Sequence, residues 1–106
     1  MYIYFMPKSD RRFSPQTLAV LTVLFESREE WRYGLEVAAA TGLKSGSLYP
    51  ILSRLHDRGL LESRWLEPER PGRPPRHAYR LTAAGRSALR EATRPALTTL
   101  IQGARS

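Results

Sequence analysis

Residues 44–59 read KSGSLYPILSRLHDRG, a stretch with a helix start, an apolar stripe, a polar face and a stop. Ser45 or Ser47 can cap the start by accepting a hydrogen bond from a free backbone N–H. Leu48, Ile51, Leu52 and Leu55 fall at i, i+3, i+4 and i+7, so a helix sets them on one face. Gly59 tolerates the left-handed backbone on which helices end. Opposite the stripe lie Gly46, Ser47, Tyr49, Pro50, Ser53, Arg54 and Asp57, which are short or hydrogen-bonding and weakly charged. Such a face can enter the DNA major groove, where base edges offer donors, acceptors and methyl groups. It also suits an ordinary amphipathic surface helix.

Upstream, a short helix is expected over 33–41, with Leu35, Val37, Ala38 and Ala39 available for packing. Gly42 stops it, and Leu43 and Lys44 bridge to the next helix, which is the helix-turn-helix pattern. Before it, 28–32 reads as a charged turn. Residues 14–27 read as a first helix, capped by Ser14, with Pro15 at its first position. Its stripe of Leu18, Leu21, Leu24 and Phe25 assigns it to the core. Residues 1–13 form an N-terminal arm, whose Tyr2, Ile3, Tyr4 and Phe5 suit a short strand or a partner contact; a floppy tail fits the residues equally well.

Downstream, 60–66 alternates as a strand. Residues 67–76 cannot be helical, because Pro68, Pro71, Pro74 and Pro75 break it. They read as a stiff hairpin tip carrying Arg70, Arg73 and Arg76, and 77–81 is the return strand. A hairpin directly after a helix-turn-helix is a wing. Thr82 then caps a last helix from Ala83 to about Ala104, which Pro95 should kink or split. Its apolar side carries Leu89, Ala92, Ala96, Leu97, Leu100 and Ile101. That side finds its simplest partner in the same helix of a second subunit, or else folds back on its own domain. The chain is thus expected to be mainly α with a small β-hairpin: an arm over 1–13, a winged helix-turn-helix over 14–82 and a C-terminal dimerisation helix over 83–106.

Composition limits the function. A chain of 106 residues fits one domain with one modest core. Cysteine is absent, which excludes disulfides and thiolate metal sites. No apolar run approaches the roughly 20 residues that span a bilayer. The six-residue apolar start lacks a preceding basic region and makes a poor signal peptide. A cytoplasmic protein without membrane partners is the expectation. Net charge is +7, from 17 Lys and Arg against 10 Asp and Glu, which suggests a polyanionic partner. Residues 26–36 alone are net negative; the recognition helix, the hairpin and the last helix are each net positive.

In order along the chain, Tyr33-Gly34-Leu35-Glu36-Val37, Ser45-Gly46-Ser47-Leu48-Tyr49-Pro50-Ile51-Leu52-Ser53-Arg54-Leu55, Gly59-Leu60-Leu61 and Gly72-Arg73-Pro74-Pro75-Arg76-His77-Ala78-Tyr79-Arg80-Leu81-Thr82-Ala83-Ala84-Gly85 resemble the PadR family of winged-helix transcriptional regulators. The resemblance covers roughly residues 14–89. It implies a homodimeric repressor of a double-stranded DNA operator, released by a small-molecule or other effector. The recognition helix would enter the major groove, the wing would lie along the backbone or minor groove, and the last helix would dimerise. Ser47 and Tyr49 match base- and phosphate-facing positions of the family. Some short members clamp flat aromatic drugs with a tryptophan on the last helix. Here that helix has no tryptophan and carries Pro95, while Trp31 and Trp65 lie elsewhere, so the resemblance does not extend to that clamp.

The expected DNA-contacting residues are Tyr33, Lys44, Ser45, Ser47, Tyr49, Pro50, Ser53, Arg54, Arg70, Arg73, Arg76 and His77. For several the residues leave two readings open. Tyr49 contacts DNA or packs on the preceding helix; Tyr33 bonds a phosphate or joins the core; Arg54 reaches a phosphate or pairs with Asp57. Lys44 precedes a helix N-terminus, which itself favours an anion. Enzymatic chemistry finds little support: His56 and Asp57 are adjacent and do not face each other on a helix, and no nucleophile, metal cluster, cofactor loop or phosphate-binding glycine loop is visible. Two classes therefore remain, a DNA-binding regulator and a winged-helix module that docks protein.

Overall fold

A computed structural model describes residues 13–68 and 70–105, with side chains as far as residue 94. The order is α1 (Pro15–Glu26), β1 (Arg32–Tyr33), α2 (Gly34–Thr41), α3 (Ser45–Asp57), β2 (Leu61–Leu66), β3 (Arg76–Leu81) and α4 (Ala83–Arg105). The expected N-terminal arm lies outside the described residues except at Phe13, which is buried.

Helix α1 starts as its sequence dictates: Ser14 Oγ accepts the Thr17 N–H at 3.1 Å, and Pro15 follows the cap. Val20, Leu21 and Leu24 are fully buried. Beyond it, the chain reverses through Arg28, a non-glycine residue at φ 59°, a conformation that costs roughly 1 kcal/mol. Residues 28–32 are then not simply a turn. Arg32 and Tyr33 form β1, which pairs antiparallel with β3 through Arg32↔Tyr79 and Tyr33↔Ala78. The sheet order is β1-β3-β2. Tyr33 is consequently the residue before α2 rather than its first; its N–H donates to Glu36 Oε1 at 3.0 Å.

Gly42 ends α2 in the left-handed conformation at φ 77°, and α3 begins three residues later. The residue capping α3 is Lys44, with no side-chain cap bond, so neither Ser45 nor Ser47 takes that position. The stripe is as expected: Leu48, Ile51, Leu52 and Leu55 are all buried. Each such side chain contributes roughly 1.5–3 kcal/mol by leaving water. They pack with Leu21, Leu24, Val37, Leu61, Tyr79 and Leu81 in one core.

Strands β2 and β3 pair from Leu61↔Leu81 to Leu66↔Arg76. The register places Leu61, Ser63 and Trp65 on one face with Leu81, Tyr79 and His77. Arg76 is the first residue of β3, not part of the hairpin tip. The tip, 67–75, turns through Gly72 at φ 87°.

A seam of hydrogen bonds joins the start of α4 to the end of α3. Thr82 Oγ1 accepts the Gly85 N–H at 3.0 Å and donates to the Gly59 carbonyl at 2.8 Å. The Thr82 N–H donates to the Leu60 carbonyl at 3.1 Å. Helix α4 then runs from Ala83 to Arg105 as one helix; Pro95 does not split it. Leu89 and Ala92, expected at a subunit contact, are 6% and 5% exposed and fill the chain's own core beside Ala88. The pattern showed an apolar face but not what covers it, and here α1 covers its first half. The side chains of Ala96, Leu97, Leu100 and Ile101 lie outside the described residues.

Candidate nucleic-acid interface

Helix α3 presents Ser45, Gly46, Ser47, Tyr49, Pro50, Ser53 and Arg54 on its exposed side, because its four apolar side chains face inward. Lys44 is exposed at its N-terminus. Pro50 sits inside the helix and has no N–H to give the Gly46 carbonyl.

Tyr49 does two things at once. It is 40% exposed, yet its ring lies against the backbone of Gly34 at the start of α2. A Cβ on Gly34 would stand 2.8 Å from Tyr49 Cζ and closer still to the hydroxyl. Contact with α2 at the hydroxyl end therefore holds the ring, while the side chain as a whole remains partly exposed.

The wing supplies the facing wall. The Trp65 and His77 rings stack with centroids 4.3 Å apart and planes 13° from parallel. His77 also lies 4.7 Å from the Tyr79 ring, and Tyr79 Oη is 3.1 Å from His77 Nδ1. Burial, and to a lesser degree His56, lowers the His77 pKa below the ordinary imidazole value. Burial, then Tyr49, raises the Tyr79 pKa above the ordinary phenol value. On the other face of the sheet, the Arg76 guanidinium lies 3.7 Å from the Tyr33 ring centroid. Tyr33 is half-buried in that cation–π contact, neither core nor free.

These pieces converge. Tyr33, Leu35, Tyr49, Trp65, Arg76 and His77 line one groove of about 410 Å³ between α2 and the wing. Leu35 and Arg76 also line its continuation, with Arg70, Arg73 and Pro74 of the hairpin tip. Of the expected residues, the structure gathers Tyr33, Tyr49, Arg70, Arg73, Arg76 and His77 there. It sets Arg54 apart, in a hollow beside Phe13, Ser14 and Arg58 near α1. Leu35 and Trp65 were not expected at a site. Leu35 is 74% exposed, because Gly34 and Val37 form the buried side of α2 and Leu35 falls off it. The spacing of Gly34 and Val37 is the signal that could have shown this. Trp31, also unassigned, lies between the Arg64 and Arg80 guanidiniums at 4.8 and 4.4 Å on the opposite face of the sheet. Arg80 is in turn held by Glu62 at 3.3 Å.

Among the described residues no group of three or more His, Asp or Glu side chains could hold a metal ion, and no helix is long and apolar enough to cross a membrane.

A helix-turn-helix whose second helix is solvent-facing, followed at once by a basic hairpin and a long helix, defines the winged-helix regulators. Within that class the chain belongs to the PadR-like family of transcriptional regulators, which it matches over residues 20–91. It is similar to a PadR-like transcription factor from Bacteroides fragilis, at 28% identity over 92% of this chain and 94% of the other, with a TM-score of 0.66. It is also similar to the PcaV transcriptional regulator of Streptomyces coelicolor, solved with its natural ligand, at 26% identity over 89% of this chain and a TM-score of 0.66. The chain spans 63% of the PcaV length. MepR of S. aureus, in a variant bound to an oligodeoxyribonucleotide, shares the fold at 16% identity and a TM-score of 0.71, over 91% of this chain and 70% of its own. Comparison with curated proteins finds no match.

Proposed function

We propose that this chain is a sequence-specific repressor that binds an operator in double-stranded DNA as a homodimer and is released by a small-molecule effector. The observation that carries the reading is that Tyr49, on the exposed side of α3, lines a groove whose continuation reaches Arg70 and Arg73. Ser47, Tyr49 and Ser53 meet base edges or nearby phosphates without burying an unpaired charge. The arginines of the tip supply charge to the backbone or a narrow minor groove. MepR, which shares the fold, is bound to an oligodeoxyribonucleotide, and PcaV to its natural ligand; both support DNA and an effector as the partners proposed for this chain. The Ala96, Leu97, Leu100 and Ile101 spacing in the second half of α4 supports pairing with a second copy.

A gel shift and footprint on the DNA upstream of the chain's own gene test the reading. A protected stretch with two related half-sites, bound in preference to unrelated DNA at the same salt concentration, is the expected result. Absence of binding to any duplex at low salt would sink it and leave the protein-docking module as the function.

A further inference from the structure

Among the described residues, the large hydrophobic side chains left exposed are Leu35, Tyr49 and Trp65, at 74%, 40% and 66%. Scattered singly, such residues mean little. Here all three line the same groove, from three different elements: Leu35 from α2, Tyr49 from α3 and Trp65 from β2. The exposed indole is also ordered before any partner arrives. It is stacked flat on His77, which the Tyr79 hydroxyl holds from behind. The ordering cost of the contact is therefore largely met in the free protein.

The surroundings say what the groove takes. Its one acidic lining residue, Glu36, has an oxygen occupied by the Tyr33 N–H. Its continuation past Leu35 runs between Arg70, Arg73 and Arg76. An occupant must thus be anionic along one edge and apolar along another. A DNA strand has both, as phosphates alternate with deoxyribose rings whose carbon faces are apolar.

We infer that the groove between α2 and the wing grips one DNA strand as an apolar clamp, with Leu35 and Trp65 packing on deoxyribose from opposite walls and Arg70 and Arg73 meeting the phosphates. The inference rests on the DNA-binding reading above and adds to it a contact that is blind to sequence and independent of counterions. Charge contacts release counterions and steepen the salt dependence of binding; apolar contacts do not. Hence the clamp is separable from the arginines by measurement.

The test uses the full chain and the footprinted fragment. Affinity is measured over a series of salt concentrations for the wild type, Leu35→Ala, Trp65→Ala and Arg73→Ala. Both clamp residues are largely exposed, so these chains should fold, which melting temperature checks. Leu35→Ala and Trp65→Ala should each weaken binding roughly tenfold, as befits a lost apolar contact, with the salt slope unchanged. Arg73→Ala should flatten the slope by about one charge. In a Trp31→Phe chain, the emission of Trp65 should also change when the fragment is added. Wild-type affinity in both clamp variants with unmoved Trp65 emission would overturn the clamp and leave the DNA-binding reading intact. A salt slope that falls with the clamp variants would also overturn it, since the contact would then act through charge. A wild type that binds no DNA would overturn both.

Discussion

Gly46→Ala and Gly85→Ala place the same methyl group in the first turn of two helices and should move stability in opposite directions. Helix propensity favours alanine at both positions, by up to about 1 kcal/mol in a helix interior. A Cβ at Gly46 meets nothing within 4 Å, so that gain should be realised, at roughly 0.5–1 kcal/mol. At Gly85 a Cβ falls on the Leu60 carbonyl oxygen, 3.1 Å from its carbon and from Leu81 Cδ2. The obstacle is backbone, so no side-chain rotation relieves it. The same carbonyl accepts the Thr82 N–H. Overpacking of this kind costs about 1–3 kcal/mol, and disturbing the two Thr82 bonds adds about 1 kcal/mol each. Net of propensity, Gly85→Ala should destabilise by roughly 2–4 kcal/mol, a fall in Tm of roughly 10–20 °C for a domain of this size. Thermal and urea unfolding of the three chains at one concentration would measure both effects. A Gly85→Ala chain that melts at or above the wild-type temperature would refute the close approach of α4 to Leu60.

Further outcomes are expected. Replacing Arg70 and Arg73 with alanine together should weaken binding to all sequences and flatten the salt slope by about one to two charges' worth, read by titration at several salt concentrations. Ending the chain after Arg94 retains Ala88, Leu89 and Ala92 in the core and should leave a folded monomer; light scattering that still reports a dimer would place the subunit contact elsewhere. The Tyr49→Phe chain should keep its melting temperature and lose affinity by about 1–3 kcal/mol if the hydroxyl meets DNA, whereas equal affinity shows that it does not. His77, its pKa lowered by burial, takes up a proton less readily folded than unfolded. Its contribution is therefore present above the ordinary imidazole range and lost as pH falls through the lowered value; urea midpoints from pH 7.5 to 5 should decline less steeply in His77→Gln than in the wild type. Tyr79, raised by burial, should act in the opposite range, with stability lost as pH climbs above the ordinary phenol value.

Some of this architecture is legible in the residues because it is local. The stripe of α3, its polar face and Gly59 occupy one short stretch, and the prolines of the hairpin tip exclude helix on their own. Helix α1 announces itself through Ser14 and Pro15. What escapes the sequence depends on distant pairing. The two residues of β1 have no periodicity, and they become a strand only because β3 lies beside them. The stack of Trp65 on His77 depends on a register carried across the whole hairpin tip. Leu35 looks like a core residue by composition alone, although the Gly34 and Val37 spacing sets it on the outer side of α2. Arg54 and Arg70 are alike as letters, yet the fold sends one toward α1 and the other to the groove. Leu89 and Ala92 belong to an apolar face whose neighbour, α1, is about 70 residues earlier in the chain and invisible to any local pattern.

The hydrogen bonds of Thr82 to Gly59 and Leu60 turn α3 and α4 into one angular piece. With the elbow locked, the length of α4 acts as a ruler. Every residue added to an α-helix carries its far end 1.5 Å onward and swings that end by about 100°. In the proposed dimer, one extra residue in α4 before the subunit contact would therefore turn each recognition helix by about 100°, while four would bring it back to within about 40° at a longer reach. In that dimer, an operator with shifted half-site spacing should accordingly be matched by a change in α4 length that alters reach and phase together, since a shifted half-site also turns about the duplex.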